Sequence, residues 1–567
     1  MQEKELRLEK FKKLRDSLPY RFEKTHSIRE LRSKFEKDFE PFEICLNGKL
    51  KRVSNQDGIK VGRLEDGERE LLVYFSQGED PKEGESISLF GKLERKEGKV
   101  CLIDAKIASC EPRALNEVLS ELELEPGRFF ARVSARLMNL RKMGKAIFGD
   151  VQDWSGRVQV YLSKDGSGEA FESFSELVDI GDVLGIEGEL FRTKAGELTI
   201  EVKRFEVLAK SLNPMPEKWH GLKDTEVRYR KRYLDLIVNE EARRAVLIKN
   251  RLIKSIREFL DQNGFIEVET PILQPIASGA NARPFKTFHN ALEEELYLRI
   301  APELYLKKLV VGGLERVYEL GRNFRNEGVD STHNPEFSMV EFYAALWDYK
   351  DMMEFIKNLM LFVCQKTLGK SFIETKDRLI SLEKFEVKTY FGLLEEKTNK
   401  GMDFFLNDTS ELREFCKNSG VENVWNLSHG KLIDKVFSIF VEESLTTPTF
   451  VIDFPKLISP LARTHREDKR LVERFELYIL GKEVANAYSE LTDPIEQRER
   501  FESQRTQKSA GDEEAMLADE SFIEALEYGL VPTAGAGIGI DRLMMVLTDE
   551  ESIREVILFP ALKSKGA

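Results

Sequence analysis

The sequence predicts a multidomain chain: OB-type β-barrels toward the N-terminus, then a larger α+β domain on an antiparallel sheet. Three observations predict it. Two glycine-punctuated strand segments repeat at a constant spacing, and a segment with two prolines follows them. Beyond that, strands and helices mix without the regular alternation of a parallel α/β fold. At 567 residues the chain has room for about three or four domains.

Residues 1–39 read as a charged helical arm. Residues 1–37 hold 12 Lys/Arg against 7 Asp/Glu, while the whole chain carries −13. The acidic balance argues against nonspecific coating of nucleic acid, and the basic arm is equally a solvated helix or a nucleic-acid-facing one. Glu3, Glu5 and Glu9 oppose a mitochondrial transit peptide. No apolar run approaches the ~18 residues of a membrane span, and no secretion signal opens the chain. Five scattered cysteines form no CxxC pair, so reduced thiols and a cytoplasmic location are expected.

The repeat comprises residues 83–107 and 180–205. Gly84, Gly91, Leu93 and Arg95 match Gly181, Gly188, Leu190 and Arg192, each 97 positions later. Each copy reads strand, glycine, strand, Gly turn, strand, with a hairpin upstream. This predicts an extra OB-like barrel over 40–112, a linker over 113–127 and a second OB-fold over 128–212. Residues 213–567 form the α+β domain. It opens with an amphipathic helix that Gly264 stops.

Within that domain four constellations bear chemistry, besides GFIEVETP at 264–271. In 321–343, Arg325 and Glu327 precede a turn and His333, Asn334 and Glu336 follow it. The period of two then puts Phe337, Glu341 and Tyr343 on one strand face. Glu303 follows a proline at the start of a helix. Residues 473–491 read as a hairpin turning near Gly481–Lys482, with Glu476 on the first strand. Asn486, Tyr488 and Glu490 share a face of the second, and Glu483 needs a bulge or a strand-end position to join them. Residues 535–549 carry three alternating glycines on one strand face, leaving space for a ligand. Asp541 is expected to cap the helix that carries Arg542.

These runs together resemble the class II aminoacyl-tRNA synthetases: 264–271 is similar to motif 1, 321–343 to motif 2 and 535–549 to motif 3, in that order. GANARPFKTFHNALEEELYLRIAPELYLKKL and VANAYSELTDPIEQRERF are similar to the lysyl-specific family, as is RFEKTHSIRELRSKF near the N-terminus. The resemblance implies an antiparallel catalytic sheet of about six strands, a homodimer built partly on motif 1, and lysine, ATP, Mg²⁺ and the lysine tRNA as substrates and partners. Arg325, Glu327, His333, Asn334, Phe337 and Arg542 would then bind ATP, with Arg325, Arg542 and Glu327 nearest the chemistry. Glu476 and Glu483 would hold Mg²⁺ beside the nucleotide. Gly279, Glu303, Arg325, Glu341, Tyr343, Asn486, Tyr488 and Glu490 would bind lysine. Arg141, Phe148, Gln159 and Glu197 would read the anticodon. Two departures stand out: Ser278–Gly279 replaces the family's usual Gly-Gly pair, and residues 43–125 are extra.

Other readings remain at this point: an aspartyl- or asparaginyl-type relative, a paralogue that lysylates a protein, or an inactive OB-fold RNA-binding protein. The acids around 341 and 490 oppose a site for aspartate, an anticodon barrel opposes the protein-lysylating paralogue, and the intact Arg325, Glu476, Glu483 and Arg542 oppose loss of activity.

Overall fold

The computed structural model describes residues 2–14, 42–56, 59–66, 69–76, 86–96, 99–107, 113–114, 129–216, 222, 224–509 and 514–564. The arm beyond residue 14 and most of the expected 113–127 linker lie outside the described residues. The chain divides into two compact units, Met1–Glu217 and Lys218–Ala567. Among the described residues, no helix is long and apolar enough to cross a membrane.

The first unit holds helix α1 (Gln2–Leu14) and two five-stranded rings, and Arg113–Ala114, expected in the linker, adds a short strand parallel to Leu46–Asn47 of the first ring. Strands β1 (Phe42–Gln56), β2 (Ile59–Asp66), β3 (Arg69–Phe75), β4 (Ser86–Lys96) and β5 (Lys99–Ile107) pair in the order β1-β2-β3-β5-β4, and β4 returns to β1. Strands β6 (Phe129–Met143), β7 (Ala146–Gln152), β8 (Arg157–Ser163), β9 (Val183–Arg192) and β10 (Leu198–Ala209) close in the same order. In both rings the third and fifth strands run parallel and the other pairs antiparallel. Each ring also has a register shift at the same point, at Gly91 in β4 and at Gly188 in β9. A side chain at Gly188 would collide with the Glu201 backbone carbonyl. The glycine is therefore where this ring bends.

The described part of the arm lies on the second ring. Arg7 donates to the carbonyls of Ile180 and Ser211 at 2.8 and 3.2 Å, and Lys10 pairs with Asp179 at 2.8 Å. Those basic groups are engaged within the unit rather than solvated.

In the second unit, helix α2 (Glu240–Gln262) is stopped by Gly264, whose φ is +78°. Its sheet comprises β11 (Ile266–Glu267), β12 (Arg316–Phe324), β13 (Glu336–Ala345), β14 (Glu386–Thr389), β15 (Thr449–Pro455), β16 (Leu471–Ile479), β17 (Lys482–Ser489) and β18 (Thr533–Gly539). The order is β11-β12-β13-β18-β17-β16-β15-β14. The six central strands are antiparallel throughout, as expected, and a parallel strand is added at each edge.

Alternation divides the sheet into two faces. Val340, Phe342, Phe475, Leu477, Ala485, Ala487, Ala536 and Ile538 turn toward α2, helix α4 (Tyr349–Leu368) and helix α6 (Ile540–Thr548), forming the main core. The opposite face carries Glu341, Tyr343, Glu476, Asn486, Tyr488 and the strand glycines. Helix α3 (Glu303–Val311) and helix α5 (His429–Phe440) bring further polar groups to that side.

The bulge at Gly188 carries a prediction. Gly188→Ala is expected to cost about 1–3 kcal/mol through overpacking, measured by urea unfolding of the whole chain. A change under about 0.5 kcal/mol would mean that the ring yields freely there.

Candidate functional site

The polar face of the sheet floors a cleft of about 530 Å³. A cavity of about 190 Å³, lined by Arg325, Glu327, His333, Asn334, Phe337, Glu483 and Arg542 among others, shares several of its residues. Register explains the gathering. On β18, Gly537 lies between Glu341 of β13 and Asn486 of β17, and Gly535 lies between Tyr343 and Tyr488. Two positions without side chains thus open a lane between polar groups. A Cβ at Gly535 would run into Glu490 and Tyr343.

The hairpin of β16 and β17 turns at Leu480–Gly481, one residue earlier than expected, with φ of +55° and +69° at the two turn residues. Two successive left-handed residues suit the twist of a tight hairpin. The pairing then shifts: Leu477 faces Ala485, but Tyr478 faces Glu483. This bulge absorbs Val484, which is buried in the core. Glu483 thereby joins Asn486 and Tyr488 on the cleft side, as its odd position required.

At the nucleotide-like end, Arg325 covers the Phe337 ring at 5.1 Å. Burial pulls the Arg325 guanidinium below its ordinary range, against the charges of Glu327 and Glu483. Arg542 donates to Glu483 at 2.9 Å and lies 3.1 Å from His333 Nε2. Asn334 is already engaged: its amide donates to the Glu336 carbonyl at 2.6 Å and accepts from the Ala561 N–H at 3.0 Å. Asp541 does not cap its helix, because Gly539 holds that position. Instead it accepts from the Ser338 N–H at 2.7 Å and pairs with Lys249 of α2 at 2.5 Å, tying α6 to β13 and α2.

Glu476 accepts from Arg474 at 2.5 Å and from the Tyr478 hydroxyl at 2.6 Å. Burial, and then the charge of Glu483, raise its carboxyl to about 8. Two carboxylates that repel each other across a cleft suit a divalent cation with oxygen ligands.

The other end is an acid pocket. Glu303, Glu341 and Glu490 are each at most 5% exposed. The Tyr343 hydroxyl donates to Glu341 at 3.2 Å, and that of Tyr488 donates to both Glu303 oxygens at 2.7 Å. Burial and the Glu303 charge push the Glu341 carboxyl up to about 8. Gly279 lines the cleft with φ +93°, a conformation that favours glycine. Ser278 is absent from the described residues of positive φ, and its hydroxyl donates to the Leu517 carbonyl at 3.1 Å. Serine therefore fits where a second glycine was usual.

On the second ring, Arg141 pairs directly with Phe148, and Phe148 with Tyr161. Thr199 donates to the Gln159 side chain at 3.0 Å and to the Glu197 carbonyl at 3.2 Å. The four expected residues thus lie on or beside adjoining strands. Tyr161 and Phe191, which the sequence reading did not single out, extend an aromatic row from Phe148 at centroid spacings of 4.9 and 6.1 Å.

Comparison with known proteins agrees. Residues 224–563 match the family of tRNA synthetases class II (D, K and N), and 131–208 match the OB-fold nucleic acid binding domain. The chain is 52% identical to the lysine–tRNA ligase of Aquifex aeolicus (strain VF5) over 99% of its own length and 95% of that protein's. It is 47% identical to that of Bacillus subtilis (strain 168), over 79% and 90%. With lysine–tRNA ligase 2 of Methanosarcina acetivorans it shares 49% over 87% and 93%. The chain belongs to the class II tRNA synthetases.

Three features of this synthetase's cleft escaped the sequence reading. Arg474, two residues before Glu476, is held above its ordinary range by Glu476 and Glu483 in spite of burial. Asp434 and Glu442, from α5 and just beyond it, face the same acids. Lys307 lies inside the acid pocket, paired with Glu303 and Glu490. The Aquifex match spans 566 residues, so the extra N-terminal segment is shared with that bacterial relative.

The glycine lane in the synthetase yields a test. Gly535→Ala is expected to raise the amino-acid KM about tenfold or more by overpacking Glu490 and Tyr343, with a smaller effect on the KM for ATP. ATP–pyrophosphate exchange measures both. Equal effects would detach Gly535 from the acid pocket.

Proposed function

We propose that this chain is a lysine–tRNA ligase working as a cytoplasmic homodimer. In the first step a lysine carboxylate oxygen attacks the α-phosphorus of ATP, and pyrophosphate leaves. In the second, a 3′-terminal hydroxyl of the tRNA attacks the lysyl carbonyl, and AMP leaves. The carboxylate is already a nucleophile, so neither a general base nor a covalent enzyme intermediate is needed. Rate comes from alignment and from charge neutralisation.

One observation carries the reading: three buried carboxylates, with two tyrosine hydroxyls bonded to them, stand beside a half-buried arginine. Charges taken out of water need partners. A substrate with two ammonium groups and one carboxylate supplies them. Under this reading Glu303 and Gly279 take the α-ammonium, and Glu341, Tyr343 and Glu490 take the ε-ammonium. Tyr488 orients Glu303, and Asn486 and Arg325 take the carboxylate. A planar guanidinium also suits the α-phosphate.

For ATP, Phe337 offers a stacking face and Arg542 a cation for the adenine ring. Glu327 and His333 line that end, and Asn334 holds their loop. Glu476 and Glu483 fit Mg²⁺, which when bound neutralises phosphate charge. On the second barrel, Phe148 stacks an anticodon base, while Arg141, Gln159 and Glu197 contact base edges or backbone.

The first experiment is amino-acid-dependent ATP–pyrophosphate exchange. Lysine should drive it; exchange driven by aspartate instead would sink the assignment. Glu490→Gln should raise the lysine KM about tenfold or more, because a buried ammonium loses its partner, with the ATP KM within about twofold. An unchanged lysine KM would count against Glu490. Phe148→Ala should weaken tRNA binding by about 1–3 kcal/mol and leave exchange intact, measured by filter binding beside the exchange assay.

A further inference from the structure

Lys307 is an ammonium that neither step of the reaction calls for. It lies on α3, one turn after Glu303, and is fully buried. Its Nζ is 2.6 Å from Glu303 Oε1 and in ion-pair contact with Glu490. The Tyr488 and Phe522 rings flank it, each with its centroid 5.6 Å from Nζ. A buried ammonium is costly unless it is paired. Here the pairing is with two carboxylates from distant parts of the chain.

The charges around it can be counted. Glu303 of α3, Glu341 of β13 and Glu490 just beyond β17 bring three potential negative charges. Tyr343 and Tyr488 bring neutral hydroxyls. Arg299, the nearby buried arginine, is committed to Glu319, and Arg325 faces the nucleotide side, where the substrate carboxylate balances it. Lys307 is therefore the fixed cation of the acid pocket.

Resting on the lysine reading of this site, we propose that Lys307 is a positioning residue that sets amino-acid specificity. It holds Glu303 and Glu490 in place and cancels one of three negative charges, leaving two for the two ammonium groups of a diamino acid. The state of the other groups supports this. Glu490 Oε2 meets the Lys307 ammonium, while its buried Oε1 has no hydrogen-bond partner among the described residues. Burial pushes the Glu490 carboxyl upward, with Lys307 opposing and Glu303 adding to the rise. Glu341 stands at about 8. Burial works against the Lys307 ammonium, but Glu303 and Glu490 outweigh it and hold it above its ordinary range. In the free pocket, then, one place is filled by Lys307 and two hold protons more tightly than exposed carboxylates do. Each substrate ammonium favours the charged form of the carboxyl it meets. A monoamino acid brings one such partner and leaves a buried carboxyl unpaired.

The test uses the full chain. Lysine-dependent ATP–pyrophosphate exchange by the unmodified chain checks the reading on which the inference rests; exchange with a different amino acid overturns both. Given lysine use, Lys307→Met is expected to raise the lysine KM about tenfold or more with the ATP KM within about twofold. Losing the cation removes the charge that opposes the upward push on the Glu490 carboxyl. The pH at which lysine KM reaches its minimum should therefore move upward by about one to three units, while the ATP profile stays in place. A purely structural lysine would not move that profile. An unchanged lysine KM, or equal loss for both substrates with no pH displacement, overturns the inference and leaves the lysine reading standing. Should Lys307→Met not fold, calorimetry of lysine binding to the unmodified chain in two buffers of different ionisation enthalpy decides. Release of between about one and two protons per site near pH 7 supports the count, because two carboxyls then give up protons. Release above two, or none, overturns it.

Discussion

The floor of the cleft depends on the two-residue period of an antiparallel sheet. Apolar residues of β13, β16, β17 and β18 face the helices. The positions between them have nowhere to go but the opposite face. One set of backbone pairings therefore fixes the core and the site together. Asp541 extends that coupling, since a single buried carboxylate joins the arginine-bearing helix to β13 and to α2. The break in period at Val484 recruits Glu483 without displacing the residues that follow.

Much of this was legible in the residues. Alternation placed Glu341, Tyr343, Asn486 and Tyr488 correctly, and the odd position of Glu483 itself called for a bulge. The repeat of 97 positions foretold two rings of the same strand order. What stayed hidden depends on long-range packing. Lys307 follows Glu303 by four residues on a helix, a spacing that ordinarily marks an exposed ion pair. It is buried because Glu490 arrives from far along the chain. Asp541 looked like a cap because aspartate at a helix start usually is one, but its carboxylate turns to β13. Asp434 and Glu442 belong to a helical region without any motif, and their role emerges only where α5 meets the cleft. In the first unit, α1 read as solvated or nucleic-acid-facing because the acids and carbonyls that bind it lie more than 160 positions away.

The two ends of the cleft balance charge differently. Around Glu476 and Glu483, Arg474 and Arg542 pair with the acids, so cations and anions are both already present. In the acid pocket, anions outnumber the fixed cation Lys307. Buried carboxylates without counter-ions weaken the fold, and the sheet and helices around them supply the stability that lets them persist. The site is in this sense a strained part of an otherwise well-packed domain.

Strand β18 occupies the middle of the sheet, between β13 and β17, yet it is the last of the sheet strands to be synthesised. The Asn334 loop is likewise fixed by a backbone N–H near the end of the chain, at Ala561. On the ribosome, β13 and β17 are both made before β18, and the strand that pairs between them is the last to arrive. The cleft has no floor until β18 has left the exit tunnel. The barrel unit, encoded first and built from nearer pairings, is free to fold well before that. A chain that belongs to the machinery of translation thus becomes competent only after the last strand of its central sheet has been made.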